Sequence, residues 1–178
     1  MSRITVPLAE HAPAESQPIL DQVRKNLGFV PNLHRLMAIS PPVLQGWFSL
    51  MGSLSKTLDL KTRDGIALAV SAANGCEYCL AAHTYVSGKH ARLTAEEMAL
   101  NREGSSSDPK RAAAIHFAKR LIETRGKVDT LELDKVRAAG FTDAQVVEIV
   151  GSTAQFLLTN FMNNVNDTLI DFPVADAA

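Results

Sequence analysis

The chain has 178 residues, of which 46% are hydrophobic and 21% are charged, and its 18 basic and 19 acidic side chains leave a formal net charge of -1. This composition is typical of one globular domain with a buried core and excludes a disordered chain. The balanced charge argues against nucleic acid or an anionic membrane as a partner, because either calls for a clustered basic surface.

We expect neither a signal peptide nor a membrane-spanning segment in this sequence. The residues up to Pro7 lack the apolar stretch of a signal peptide. The most apolar segments, such as Gly65 to Ala73, are far shorter than the roughly 20 residues that a spanning helix needs. We therefore expect a cytoplasmic location and no membrane partner.

Capping residues mark the predicted helices along the chain. Pro41-Pro42 suits the first turn of a helix. Thr94 to Glu97 and Thr142 to Gln145 are both typical of a capping box. Asp108-Pro109 has the pattern of an N-cap followed by proline at the first helical position, and Gly126 is a plausible C-terminal stop for that helix.

The apolar periodicity predicts an all-α fold, since no run of β-branched and aromatic residues alternates as a strand would. Nine segments are candidates, and because the shortest are weak we expect about seven or eight helices. These segments are 15–27, 31–38, 41–57, 61–74, 76–88, 94–103, 109–125, 130–139 and 142–166. We expect one domain over residues 1–178, with 104–107 as a loop inside it and the tail from Pro173 frayed.

The two cysteines of the chain, Cys76 and Cys79, lie three residues apart. In a reducing compartment such a pair is more often catalytic or metal-binding than structural, and a bridge closing so short a loop stabilises the fold little. On a helix that begins at Cys76, both cysteines and His83 project within roughly 60° of one another. Cys79 and His83 form an i, i+4 pair, so their side chains can touch.

This arrangement favours thiol redox chemistry. A thiol in the first turn of a helix faces unpaired backbone N–H groups, which favour the thiolate. The imidazole of His83 can accept the proton, and a second thiol can resolve an oxidised first thiol as a disulfide. Asp64, on the preceding apolar helix, is a candidate proton acceptor. The alternative is that Asp64 only complements the helix dipole, beside Lys61 and Arg63.

Two other interpretations of the cysteines stay open. The pair can be buried and inert beside a core histidine, or it can form a structural zinc site to which His116 or His34 adds a ligand. A thioredoxin-type site is excluded, because that motif follows a strand in a βαβ pattern. Apart from a zinc role, we expect His34 at the surface or as a satisfied polar group. Four asparagines place polar groups on the last, otherwise apolar helix, facing either a subunit contact or the pocket. They are Asn160, Asn163, Asn164 and Asn166.

The segment from Thr62 to Thr84 resembles the core motif of the alkylhydroperoxidase D and carboxymuconolactone decarboxylase superfamily, and most closely its branch of peroxidase-related proteins. The motif combines an upstream acid, Cys-x-x-Cys and a histidine four residues after the second cysteine. The similarity extends from about Asn32 to Asp167. The upstream acid is usually Glu in this superfamily and is Asp64 here. The residue before the second cysteine is His in the best-studied members and Tyr78 here.

The resemblance implies an all-α alkylhydroperoxidase D-like fold, a homo-oligomer (a trimer or a hexamer) and thiol-dependent reduction of a small-molecule hydroperoxide in an antioxidant role. It implies that Cys79 is the peroxidatic thiol and Cys76 its proton donor and resolving partner. It also implies that His83 and Asp64 form a proton relay and that a lipoyl-bearing protein returns the electrons. No metal and no organic cofactor is expected.

Two alternatives to a peroxidase remain. One is a dithiol or zinc redox switch without peroxidase activity. The other is a lyase of the carboxymuconolactone decarboxylase kind, which is less favoured because that chemistry does not need the Cys-x-x-Cys pair found here.

Overall fold

The computed structural model describes residues 2–172, and nine α-helices lie in this part of the chain. They are α1 (Gln17–Leu27), α2 (Asn32–Ala38), α3 (Pro41–Leu54), α4 (Leu60–Ala73), α5 (Glu77–Val86), α6 (Ala95–Glu103), α7 (Pro109–Glu123), α8 (Thr130–Ala138) and α9 (Asp143–Asn166). No strand occurs between residues 2 and 172, so the all-α prediction is confirmed.

All nine candidate segments are helical, so the number of helices is slightly higher than the seven or eight expected. The short helices form because they bury apolar side chains, which stabilises a helix more than intrinsic propensity does. The seven-residue helix α2 illustrates this, since Leu33, Leu36 and Met37 are all buried.

Side-chain caps begin the later helices where they were predicted. At the start of α9, Gln145 N donates to Thr142 Oγ1 at 3.2 Å, and Thr142 N donates back to Gln145 Oε1 at 3.0 Å, which completes a capping box. At the start of α7, Asp108 Oδ1 accepts from Arg111 N at 2.9 Å, with Pro109 as the first helical residue.

The predicted capping box at α6 is only half formed. Thr94 Oγ1 accepts from Glu97 N at 3.2 Å, as expected. The Glu97 carboxylate instead accepts hydrogen bonds from Ser107 N at 3.0 Å and from the Ser106 hydroxyl. Glu97 therefore binds the serine-rich loop, and its carboxylate makes no bond back to Thr94 N.

Helix α4 lies at the centre of the fold and contacts α5, α6, α7 and α9. Residues 64–71 of α4 are all buried. The absence of a side chain at Gly65 brings α7 close, because a Cβ there would lie 2.9 Å from Cγ1 of Ile115 and would clash with its Cδ1. The apolar cluster between α4, α7, α8 and α9, called the α7-side core below, includes Ile66, Val70, Ile115, Phe117, Val136 and Ile149.

A second apolar cluster lies on the opposite side of the fold, where α1, α2, α3 and α5 meet. The chain after α9 closes it: Tyr78 OH donates to Asp171 Oδ1 at 2.8 Å, and Asn32 N donates to Asp171 Oδ2 at 2.7 Å. The Phe172 ring packs on the Tyr78 ring with centroids 5.8 Å apart. This second cluster contains both cysteines.

None of the helices between residues 2 and 172 is both long and apolar enough to span a bilayer. Met1 and residues 173–178 lie outside the described part of the chain. The predicted fraying of the tail and the two ends of the predicted domain therefore fall outside it too.

Candidate active site

The two cysteines lie at the N-terminus of α5. Cys76 is the N-cap residue, and its Sγ accepts a hydrogen bond from Cys79 N at 3.3 Å. The two Sγ atoms are 2.6 Å apart, and both cysteines are free and buried. The dithiol is thus arranged so that one sulfur can attack the other without a change in the helix.

The surroundings of the two thiols favour ionisation of Cys79. The Cys76 thiol donates to the Cys79 sulfur, which is the largest factor lowering the pKa of Cys79; the amides of Asn163 and Asn160 add to it, and burial opposes it. The same contact with Cys79, together with burial, raises the pKa of Cys76. These surroundings favour the thiolate at Cys79 over the thiolate at Cys76.

Helix α9 supplies polar groups to the dithiol. Asn163 Nδ2 donates to Cys79 Sγ at 3.2 Å. Asn160 Nδ2 donates to Ser71 Oγ at 3.3 Å, and its Oδ1 accepts from Asn74 Nδ2 at 3.1 Å. Asn163 and Asn160 are only 1% and 0% exposed. Of the two positions left open for the asparagines, these two therefore face the site.

Cys79, but not Cys76, lines a cavity of about 320 Å³. This volume is at the lower end of the roughly 300–1,000 Å³ of pockets that hold small organic ligands. Its walls come from α1, α2, α3, α4, α5, α9 and the segment after α9. Most of the lining side chains are apolar, among them Leu33, Trp47, Phe48, Met51, Leu54, Leu60, Phe156 and Phe172.

His83 lines the same cavity. Its ring packs edge-on against Phe156, with centroids 5.2 Å apart. Burial lowers the pKa of His83 to about 4, so the imidazole is neutral near pH 7. Its Nδ1 is shielded from solvent and has no hydrogen-bond partner among the described residues.

Asp64 also lines the cavity and is 7% exposed. Burial raises the pKa of Asp64 to about 6, opposed by the Ser87 hydroxyl and by the charge of Arg63. Asp59, not Asp64, caps α4 by accepting from Thr62 N at 3.1 Å. A role for Asp64 in complementing the helix dipole therefore does not account for its buried position.

No direct hydrogen bond joins Asp64, His83 and Cys79 within residues 2–172. Asp64 Oδ2 and His83 Nδ1 are both solvent-shielded and unpartnered, and both residues line the cavity that Cys79 lines. A water or a substrate oxygen in the cavity can link groups placed in this way.

The expectation for His34 was wrong. This residue lines the cavity and packs edge-on against Trp47, with ring centroids 5.3 Å apart. Burial lowers the pKa of His34 to about 4, and its Nδ1 has no partner among the described residues. Arg63 lines the cavity as well, although its sequence position suggested only a neighbour of Asp64.

A zinc site gains no support from the described residues. Between residues 2 and 172, no three side chains of His, Cys, Asp or Glu are grouped so that they could hold a metal ion. His116 instead lies 3.4 Å from Glu132 Oε2, with its side chain half exposed.

The fold and the site define a class of all-helical proteins in which a dithiol begins a helix beside a histidine and a buried acid. Residues 41–120 match the carboxymuconolactone decarboxylase family. This match and the likeness of the chain to a peroxidase-related protein with an alkylhydroperoxidase D core support assignment to the alkylhydroperoxidase D and carboxymuconolactone decarboxylase superfamily.

Solved structures similar to this chain include an uncharacterised peroxidase-related protein with an alkylhydroperoxidase D core from Ralstonia eutropha JMP134. It has 28% identity and a TM-score of 0.84, and the match covers 96% of this chain and 92% of that one. A peroxidase-related protein from Silicibacter sp. TM1040 has 24% identity and a TM-score of 0.78, over 94% and 91% of the two chains.

A third structure is a cysteine-to-alanine variant of the debrominase Bmp8 in complex with 2,3,4-tribromopyrrole. It has 21% identity and a TM-score of 0.80, over 96% and 94% of the two chains. The Silicibacter and Bmp8 structures share the fold with this chain. No curated protein sequence matches it significantly.

Proposed function

We propose that this protein is a thiol-dependent hydroperoxide reductase with Cys79 as the peroxidatic thiol. One observation carries the proposal: Cys79 lines an apolar cavity, and its sulfur contacts Cys76 Sγ at 2.6 Å and the Asn163 amide at 3.2 Å. Cys79 therefore has a stabilised thiolate, a cavity that can hold an organic substrate and a neighbouring thiol that can resolve it.

The reaction proceeds in two steps. The Cys79 thiolate attacks the terminal oxygen of the hydroperoxide, and the O–O bond breaks. Cys79 becomes a sulfenic acid, and the alkoxide that leaves takes up a proton to become an alcohol. The Cys76 thiol then attacks the Cys79 sulfur, so that a disulfide forms, the S–O bond breaks and water leaves.

His83 and Asp64 form the proton relay of this scheme. A neutral imidazole can accept a proton from the thiol and return one to the alkoxide. A carboxyl group with a pKa of about 6 exchanges protons readily near neutral pH. Because Asp64 is one methylene shorter than the usual Glu, the relay includes a water in the cavity.

The disulfide must be reduced by an external dithiol, and a lipoyl group on a partner protein is the donor included in this proposal. We also propose a homo-oligomer. The exposed side of α9 presents apolar side chains three to four positions apart, which suits packing against another helix. They include Val147, Val150, Ala154, Leu158, Phe161 and Val165.

The aromatic walls favour a second candidate, reductive debromination of an aromatic ring. Trp47, Phe48 and Phe156 line the cavity into which Cys79 opens and suit a flat apolar ring. In the net reaction an aryl bromide and the two thiols yield the arene, a Cys76–Cys79 disulfide, bromide and a proton. Bromide release from tribromopyrrole by the reduced protein tests this activity, and its absence would exclude this candidate.

Intact-mass spectrometry tests the first candidate. Reduced Cys76→Ser protein is treated with cumene hydroperoxide in the presence of a sulfenic-acid trapping reagent. We expect one trapped adduct on Cys79, and slower adduct formation in Asp64→Asn and His83→Ala made in the same background. Cys79→Ser protein is the matched control and should trap far less.

An unreacted Cys79 would contradict the peroxidase and favour a dithiol switch that works by disulfide exchange. Peroxide-independent activity that survives replacement of both cysteines by serine would favour the lyase.

A further inference from the structure

Arg63 is the only arginine or lysine among the described residues that line the cavity. Its guanidinium makes no hydrogen bond and no ion pair with any residue between 2 and 172, and its Nε is shielded from solvent. A solvent-shielded donor without an acceptor is costly in a folded protein, and the cost is greater for a charged group. A ligand in the cavity would supply this acceptor.

Three other arginines also have a shielded, unpartnered Nε, but their terminal nitrogens have partners. Each of them contacts a protein oxygen through a terminal nitrogen, so its guanidinium has an acceptor within the fold. The pairs are Arg35 with Asn32, Arg102 with Thr84, and Arg111 with Asp108.

The acids nearest to Arg63 in sequence form no ion pair with it, although the charge of Arg63 lowers the pKa of Asp64. Asp59 accepts hydrogen bonds from Thr62 N and the Thr62 hydroxyl at the start of α4. Asp64 is the next residue along the helix, and adjacent helical residues do not face each other. No carboxylate of the described residues forms an ion pair with Arg63, so its charge is available to a molecule in the cavity.

The chemistry of the cavity narrows the kind of ligand. The walls are mostly apolar, so the body of the ligand is a hydrocarbon chain or ring. The guanidinium fork matches a carboxylate, which it can bind with two parallel hydrogen bonds. A single cation suits a monoanion such as a carboxylate better than a phosphate with two charges.

We propose that the hydroperoxide reduced at Cys79 is that of an apolar carboxylic acid, such as an oxidised free fatty acid, whose carboxylate binds the Arg63 guanidinium. This inference rests on the proposed peroxidase function and adds its substrate class. The carboxylate takes no part in the redox step; it anchors the chain so that the hydroperoxide group reaches the Cys79 thiolate. The protein should therefore react faster with a free acid than with its ester, because the ester lacks the carboxylate that binds Arg63.

The first test compares linoleic acid hydroperoxide with its methyl ester as oxidants of Cys79. In Arg63→Gln we expect the acid-to-ester ratio of kcat/KM to fall by about 10- to 100-fold, the range expected when a hydrogen-bonded charge is lost. Arg63→Lys should show a smaller fall, because it keeps the charge and loses the fork. Lys61→Gln is the matched control, since Lys61 is exposed on the same helix and does not line the cavity.

An unchanged ratio in Arg63→Gln would overturn the inference, and so would an equal fall in Lys61→Gln, which would indicate a general field effect. Reaction with cumene hydroperoxide, which has no carboxylate, separates the two proposals. If it oxidises Cys79 while the acid and the ester react alike, only the carboxylate site fails.

A binding measurement tests whether a carboxylate binds Arg63, even if no hydroperoxide reacts. Trp47 is the only tryptophan of the chain and lines the cavity, so its fluorescence reports occupancy. In protein with both cysteines replaced by serine, decanoate should bind at least about tenfold more tightly than decanol. Arg63→Gln should lose this preference. Equal affinities, no binding of either compound, or a preference that survives Arg63→Gln would overturn the inference.

Discussion

The face of α4 that packs on α7 and the face that lines the cavity belong to the same helix but differ in composition and in hydrogen bonding. Toward α7, Ile66 and Val70 join Ile115 and Phe117 in the α7-side core, and Asn101 Oδ1 is an unpartnered polar atom close to Gly65. Toward the cavity, six solvent-shielded polar atoms lack a hydrogen-bond partner among the described residues. They are His34 Nδ1, Trp47 Nε1, Arg63 Nε, Asp64 Oδ2, His83 Nδ1 and Ser152 Oγ.

This difference indicates which part of the molecule serves folding and which serves a ligand. Buried polar groups in native proteins are nearly always hydrogen-bonded, and each exception calls for a physical explanation. The six unpartnered atoms around the cavity are explained if a ligand in the cavity supplies their hydrogen-bond partners. Substitutions on the α7 face should therefore lower stability and leave reactivity unchanged, whereas substitutions on the cavity face should lower reactivity.

The largest effect on reactivity is expected from Asp64→Asn. Loss of a general acid or base slows a reaction by about 100- to 10,000-fold, and we expect Cys79 oxidation by cumene hydroperoxide to slow within that range. Because the pKa of Asp64 is about 6, the wild-type rate should fall below pH 6 as the carboxylate is protonated. Stopped-flow rates between pH 5 and 8 test this, and the variant should lack the inflection.

Asp64→Asn should also stabilise the fold. Burial raises the pKa of Asp64 above its ordinary value, so the folded state favours the protonated form. The penalty therefore grows as pH rises from about 4 to about 6 and is complete above pH 6. At pH 8 the variant should gain about 1–3 kcal/mol in the free energy of unfolding, measured with urea, and at pH 4 the gain should vanish. A loss of stability at pH 8 would show that the carboxylate has a partner in solution.

Phe117→Ala tests the opposite face. Phe117 is fully buried in the α7-side core. Its truncation should lower the free energy of unfolding by about 3–5 kcal/mol. In the fraction that stays folded, the rate of Cys79 oxidation should match that of the wild type. A matching loss of reactivity would mean that the two faces are coupled and would break the comparison.

Asn163→Ala should have an intermediate effect on reactivity. It removes the amide that donates to Cys79 Sγ, and a hydrogen bond to a charged group contributes about 1.5–3 kcal/mol. The pKa of Cys79 should rise, and its alkylation by iodoacetamide at pH 7 should slow by about tenfold or more. At a pH above the pKa of the variant, the two rates should converge; a constant ratio at all pH values would point to altered access instead.

The smallest effect is expected from Gly65→Ala. The added methyl group would displace Ile115 in a close-packed core, and overpacking costs typically about 1–3 kcal/mol. The higher helix propensity of alanine offsets up to about 1 kcal/mol of this. Thermal denaturation should show a modest net loss of stability, with the rate of Cys79 oxidation unchanged. A gain in stability would mean that α7 shifts more easily than its packing suggests.

The local features of this protein are readable from its sequence because their physical causes are local. The caps at Asp108 and Thr142 act within one helical turn, so their signals lie within four residues. Cys76, Cys79 and His83 share about two turns of one helix, and periodicity alone places them together. Their catalytic roles, with that of Asp64, remain predictions.

The rest of the site is formed by tertiary packing and has no local signal. Asn163 contacts Cys79 across 84 residues of chain, and only its polarity on an apolar helix pointed to a special position. His34 and Arg63 belong to the site because α2 and α4 border the same cavity. Sequence periodicity states which side of a helix is apolar, and it does not state which other helix that side meets.

The most direct test of the central claim is the stoichiometry of a single turnover. Reduced protein, with no other reductant, is mixed with one equivalent of cumene hydroperoxide, and the alcohol product and the protein disulfide are both quantified. We predict one alcohol and one Cys76–Cys79 disulfide per chain, with the alcohol still formed by Cys76→Ser and no longer formed by Cys79→Ser. A disulfide without alcohol, or alcohol from Cys79→Ser, would contradict the account.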